Sequence, residues 1–211
     1  MKNEIQIMYE NISKMYKKTG NIYSDIMNVL LVNNFSKTIV HSKNVAEKGM
    51  ELAEIFQEDK NKVKLAAYLH DISVIIPNDK FIDFAKYFGI KIIKEEKIFP
   101  MIIHQKLSKE IAKNIFEIND IEILNAIECH TTLKAKPSKM DMILFIADKI
   151  KWDHEGVPPY LNIIEQNLEI SLENGIKVFL DYLMDNKNEL KVIHPLLTNA
   201  HIYFKKYEKK N

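Results

Sequence analysis

Six polar residues of this 211-residue chain fall on faces that apolar periodicity assigns to the interior. His41 lies four residues before Val45, one turn away on the same helical face. His70 comes seven after Val63 and three after Ala67, and Asp71 follows it directly. His104 opens the stripe Leu107, Ile111, Ile115, and His130 comes seven after Ile123 and three after Ile127. Asp148 stands four after Leu144, directly after the run Ile143-Leu144-Phe145-Ile146-Ala147. An inward Asp or His must be paired, neutralised or bound to metal, because an isolated buried charge is too costly. A single inward histidine is ordinarily a hydrogen-bonded core residue. Six such positions on five helices argue instead for a shared task. Four imidazoles with two carboxylates suit a pair of borderline first-row metal ions better than calcium or a structural zinc.

The elements that must position these residues read almost entirely as helix. Ile5, Met8, Ile12 and Met15 form a first stripe, and Ile22, Ile26, Val29 and Leu30 a second. Val45, Gly49, Leu52, Ala53 and Phe56 follow, then Val63, Ala66 and Ala67, with Pro77 closing the stretch after His70-Asp71. Phe81 to Phe88 reads as a short helix stopped by Gly89. Further helices are predicted over 104–117, 120–131, 139–151 and 160–186. Asn119 with Glu122 and Ser138 with Asp141 read as capping boxes. Ile90–Ile93 and Lys191–Ile193 are β-branched but lack a partner with a hairpin signal. The expectation is an all-α fold: a helical appendage over 1–34, one domain over 35–204, and a solvated basic tail over 205–211.

Composition narrows the function classes. Apolar residues make up 46% and charged residues 28%, and the 5 Gly and 6 Pro leave little room for a turn-rich all-β fold. Basic residues number 30 against 29 acidic, so a net charge of +1 offers no field to attract nucleic acid or an anionic membrane. Every basic residue is Lys, so any phosphate site must use Lys, His, hydroxyls, backbone amides or metal. The single Cys129 suits a reducing cytosol, and no apolar run of membrane length appears, so a cytoplasmic protein is expected.

The order His41, His70-Asp71, His104, His130, Asp148 resembles the HD-domain metal-dependent phosphohydrolases. The texts HSKNVAEKGMELAE, KLAAYLHD, ECHTT and ILFIADKIKWDHEGVPP are similar to the YqeK-type branch, the symmetrical diadenosine-tetraphosphate hydrolases, over roughly residues 36–200. This resemblance implies a helical bundle around a dinuclear centre. The metal is usually iron in the branch; the ions are divalent or mixed-valence, and manganese, cobalt or zinc suit the same donors. His41, His70, Asp71 and Asp148 would hold one ion, with Asp71 bridging to a second held by His104 and His130. A bridging hydroxide would then attack the central anhydride and release two ADP. Asp71 is the expected catalytic residue. Thr38, Thr132, His154 and the segment Ile193-His194-Pro195 are the expected substrate contacts.

The chain also departs from the branch. Val74 stands where a Lys is usual, Leu133-Lys134 replaces Gly-Arg after His130-Thr131-Thr132, and Thr38 and His154 occupy positions that often carry Arg. These changes keep other readings open: hydrolysis of nucleoside mono-, di- or triphosphates, or a nucleotide-sensing metal module that has lost turnover. The expected partners are a nucleotide substrate and, through the amphipathic N-terminal helix, a second copy of the chain, with neither nucleic acid nor membrane involved.

Overall fold

The computed structural model describes residues 3–152 and 155–205. The described residues form twelve α-helices and short 3-10 turns, with no strand among them. The central packing unit is α3 (Ser36–Ile55) laid along α4 (Lys60–Leu69), with α8 (Ile121–Cys129) and α9 (Lys139–Ile150) completing the core. Gly49 lies where α3 meets α4: a Cβ there would come within 2.8 Å of Val63 Cγ1, so the helices pack this closely only over glycine. That closeness sets the separation of His41 on α3 from His70 at the end of α4.

Helix starts follow local hydrogen-bond chemistry. Ser138 and Asp141 make the expected capping box on α9, each side chain accepting from the other's backbone N–H. At α8 the cap is Asp120 rather than the expected Asn119; its carboxylate accepts from the Glu122 and Ile123 amides. The stretch expected as one helix over 160–186 is two, α10 (Leu161–Leu168) and α11 (Leu172–Asp185). Ser171 is extended and accepts from the Asn174 amide, so it starts a new helix instead of continuing the old one.

The N-terminal helices α1 (Glu4–Met15) and α2 (Ile22–Val32) pack on this bundle, α1 against α5 (Phe81–Tyr87) and α2 against α3 and α4. Ile12, Ile26, Val29 and Leu30 are buried in the same apolar cluster as Val45 and Val63. Helix α7 (His104–Asn114) lies beside α8, reached through α6 (Lys94–Ile98) and a 3-10 turn over Pro100–Ile103. The final helix, α12 (Pro195–Lys205), packs on α11. Residues 206–211 of the expected basic tail lie outside the described residues. No described helix is long and apolar enough to cross a membrane.

Candidate metal centre

The histidines of the centre sit mainly at helix ends. His70 ends α4, His130 ends α8, and His104 begins α7, while His41 and Asp148 lie within α3 and α9. Three of the four imidazoles repeat one local arrangement. Nδ1 of His70 donates to the Ala67 carbonyl (2.7 Å), that of His104 to Met101 (2.6 Å), and that of His130 to Ile127 (2.8 Å). Each bond places the ring proton on Nδ1 and turns the Nε2 lone pair inward.

These lone pairs converge. His104 Nε2 lies 3.0 Å from His130 Nε2, and His41 Nε2 lies 3.2 Å from His70 Nε2. In the first pair both rings already carry their proton on Nδ1. Two neutral acceptors facing each other at hydrogen-bond distance repel, an arrangement that a cation between them relieves. Asp71 stands between the two pairs and divides its oxygens. Oδ1 is 3.4 Å from both His104 and His130; Oδ2 is 3.4 Å from His70 and 3.9 Å from His41. Asp148 Oδ1 joins one side, 3.1 Å from His41 and 3.6 Å from His70. Three overlapping triads have ligand atoms within 4.8 Å of one another: His41-His70-Asp71, His70-His130-Asp148 and Asp71-His104-His130. All six sequence-predicted metal ligands are brought together, and their donor set fits divalent or mixed-valence first-row ions.

Electrostatics register the same crowding. Burial works against a charged His70, but Asp71 and Asp148 outweigh it and raise its pKa to about 9. Burial likewise lowers His130; His104 and His70 add to it, so the ring falls to about 4. Burial opposes ionisation of Asp71, yet His70, His130 and His104 hold it well below the usual carboxylate range. The same opposition acts on Asp148, where Lys149 and the hydrogen bonds from His41 and His70 win.

The surrounding shell contains residues that the sequence reading did not single out. Ser73 Oγ donates to the His104 carbonyl (3.0 Å), and Ser108 Oγ donates to Ser73 Oγ (3.0 Å), tying the turn after Asp71 to α7. Gln105 is fully buried and accepts from the Thr131 and Thr132 amides, fixing the turn after His130. Lys149 Nζ sits 2.6 Å from Asp148 Oδ2 and lines the cavity over the centre. Ser73, Ser108 and Gln105 were accessible to the rule that flagged the histidines, because each is a polar residue on a buried face. Lys149 had no such signal.

The expected substrate contacts separate. Thr38 lines a cavity of about 530 Å³ beside His41 and Asp71. Thr132 is buried, with its hydroxyl engaged by Gln105 and the Leu133 carbonyl, and it is Thr131 whose Oγ1 lies 3.0 Å from His104 Nε2. Leu133 is buried with φ +56°, a left-handed backbone that accounts for the glycine usual there in the branch. Lys134 pairs with Asp141 at 2.8 Å. His194 is buried and turned towards Glu96, 3.4 Å away, while Ile193 is partly exposed and Pro195 starts α12. His154 lies outside the described residues. Cys129 is buried, and that burial pushes its thiol pKa up, in keeping with a packing role.

Comparison with known proteins agrees with this architecture. The HD domain family model matches residues 38–153. The uncharacterized protein in pepC 5′region of Lactococcus lactis subsp. cremoris is 40% identical over 153 residues, 72% of this chain and 77% of that protein. The symmetrical bis(5′-nucleosyl)-tetraphosphatase of Staphylococcus aureus is 34% identical over 118 residues, 53% of this chain and 57% of that protein. The crystal structure of a predicted HD superfamily hydrolase involved in NAD metabolism from Clostridium acetobutylicum superposes with a TM-score of 0.75 at 25% identity. It covers 94% of this chain and 97% of that one. The helical bundle, the convergent imidazoles around Asp71 and the matched segment lead to one conclusion: the chain belongs to the HD domain family of hydrolases.

Proposed function

We propose that the protein is a dinuclear-metal phosphohydrolase that cleaves diadenosine tetraphosphate symmetrically to two ADP. The observation that carries this reading is the division of Asp71, with one carboxylate oxygen towards His104 and His130 and the other towards His41 and His70. With that division, His41, His70, Asp71 and Asp148 would hold one ion, and Asp71, His104 and His130 a second. Iron is our assignment, in keeping with the YqeK-type resemblance. Bound there, the ions supply a water-derived nucleophile near neutral pH and offset charge on the attacked phosphate.

The chain's own residues do the positioning. The Nδ1 bonds to Ala67, Met101 and Ile127 hold three rings in the tautomer that presents Nε2. Lys149 and Thr131 line the cavity over the centre, about 270 Å³, where a cation and a hydroxyl meet phosphate oxygens. Water adds across the central anhydride: its oxygen stays on one ADP, and the former bridging oxygen leaves with the other. Similarity to the S. aureus symmetrical tetraphosphatase supports the choice of substrate.

The direct test is product analysis of diadenosine tetraphosphate incubated with metal-quantified protein. ADP as sole product supports the proposal; ATP with AMP contradicts symmetrical cleavage. A second reading, hydrolysis of other nucleotides, draws on a mainly apolar cavity of about 170 Å³ that also touches Asp71. Val74, Phe81 and Met101 line it, so the Lys usual in the branch is missing from this wall. A nucleotide panel in the same assay separates the two readings.

A further inference from the structure

The cleft over the metal centre has two unequal lobes that share His41, Asp71 and Trp152. The smaller, about 270 Å³, is walled beyond the shared residues by His104, His130, Thr131, Asp148, Lys149 and Tyr160, so most of its wall is ionisable or polar. Its ammonium and hydroxyl groups suit phosphate oxygens. The larger, about 530 Å³, falls in the size range of small-molecule sites. Its remaining wall mixes Ser36, Thr38, Val40 and Asn44 with a single cation, Lys37. An aromatic ring, an amide and hydroxyls suit a nucleoside better than a polyphosphate. A third cavity that also touches Asp71, about 170 Å³ and lined by Val74, Phe81 and Met101, is too small to repeat this arrangement.

Trp152 is built to hold its position at the seam. It lies four residues after Asp148, just past the end of α9, so the helix that carries a ligand carries this ring as well. Tyr160 meets it edge-on at 5.8 Å between centroids and is itself buried against Phe179 (4.8 Å) and Tyr182 (5.2 Å). The indole remains 38% exposed and faces both lobes. Base stacking on such a ring is sequence-tolerant and sizeable in free energy.

We propose that Trp152 is the base platform of this enzyme: it stacks one nucleobase of the substrate in the larger lobe, with Asn44 offering a donor and an acceptor to the base or ribose. The cleft thereby grips one nucleoside strongly and leaves the other end of the substrate loosely specified. This inference rests on the substrate being a nucleotide, as proposed above.

Trp152 is the only tryptophan of the chain, so its fluorescence reports on the lobe directly. Metal-loaded protein is titrated with ADP and, separately, with inorganic pyrophosphate, which carries the phosphates without the nucleoside. ADP should quench the emission saturably, whereas pyrophosphate should bind without that quench. Calorimetric titration of Trp152→Ala should show ADP affinity reduced about 5- to 150-fold and pyrophosphate affinity unchanged. Trp152→Phe should retain most of the ADP affinity. Equal losses for both ligands, an unchanged ADP affinity in Trp152→Ala, or no ADP binding to the wild type would each overturn the platform. Thermal melts of the variants show whether a loss comes from unfolding. Trp152-dependent ADP binding without cleavage of diadenosine tetraphosphate would keep the platform and remove the proposed reaction. Cleavage with an indifferent Trp152 would do the reverse.

Discussion

The histidine–carboxylate clusters around Glu96 and around Asp71 differ in whether their charges close on themselves. Around Glu96 they do. The carboxylate is fully buried, accepts from the Ile93 amide (2.9 Å), pairs with Lys106 (2.6 Å) and meets His194 Nε2 at 3.4 Å. Burial alone would raise its pKa, but the hydrogen bonds from His194, Lys106 and Ile93 pull it down to about 2. Donors and acceptors match, and the result joins α6, α7 and the start of α12. Around Asp71 they do not match. His104 and His130 present two acceptors to each other, and four imidazoles share two carboxylates. The first cluster is a staple; the second is a donor set that suits cations. Burial of a histidine therefore says little by itself, and the hydrogen bond at its other nitrogen says much more.

The largest effect should come from Asp71→Ala. Without the bridging carboxylate, turnover of diadenosine tetraphosphate should fall by at least ~10³-fold, read by initial rates of ADP release. The matching change in the staple, Glu96→Gln, should leave metal content intact while costing on the order of 3 kcal/mol of stability in denaturant unfolding, because Lys106 loses its buried partner. Its pH dependence sharpens the contrast. A depressed carboxylate contributes stability that is fully present above its unfolded value of about 4 and is lost as pH falls towards about 2. Glu96→Gln should flatten that acid limb of the stability curve. Chelation should act only on the other cluster: removal of metal present at about 100 times its dissociation constant should cost about 2.7 kcal/mol, visible as a lower Tm in calorimetry. The smallest effect is expected for Thr131→Val, which removes the hydroxyl beside His104 Nε2. It should slow turnover about 10-fold with little change in Tm.

Most of the site was legible because buried polarity breaks an apolar stripe. That rule picked out Asp71 and the five residues gathered around it, and the Ser138–Asp141 cap followed from spacing alone. It failed where adjacent residues compete for one role. Thr131 and Thr132 are chemically identical, and only the turn held by Gln105 decides which hydroxyl faces His104. Asn119 and Asp120 pose the same problem at α8, where the residue one step later captures the free amides. The break between α10 and α11 contains neither Gly nor Pro and is marked only by Ser171. His194 is expected at the site only through the resemblance to the branch, and its partner Glu96 is 98 residues away in the chain. Trp152 illustrates the converse, because an aromatic past a helix end acquires meaning only from the cavities it separates.

The donor geometry around Asp71 predicts two metal ions per chain, and elemental analysis of the purified protein counts them. Wild-type protein purified without chelator should contain two first-row metal ions per chain. His104→Ala should reduce that to one, and Glu96→Gln should leave it at two. One ion or none in the wild type, or two retained in His104→Ala, would contradict the account.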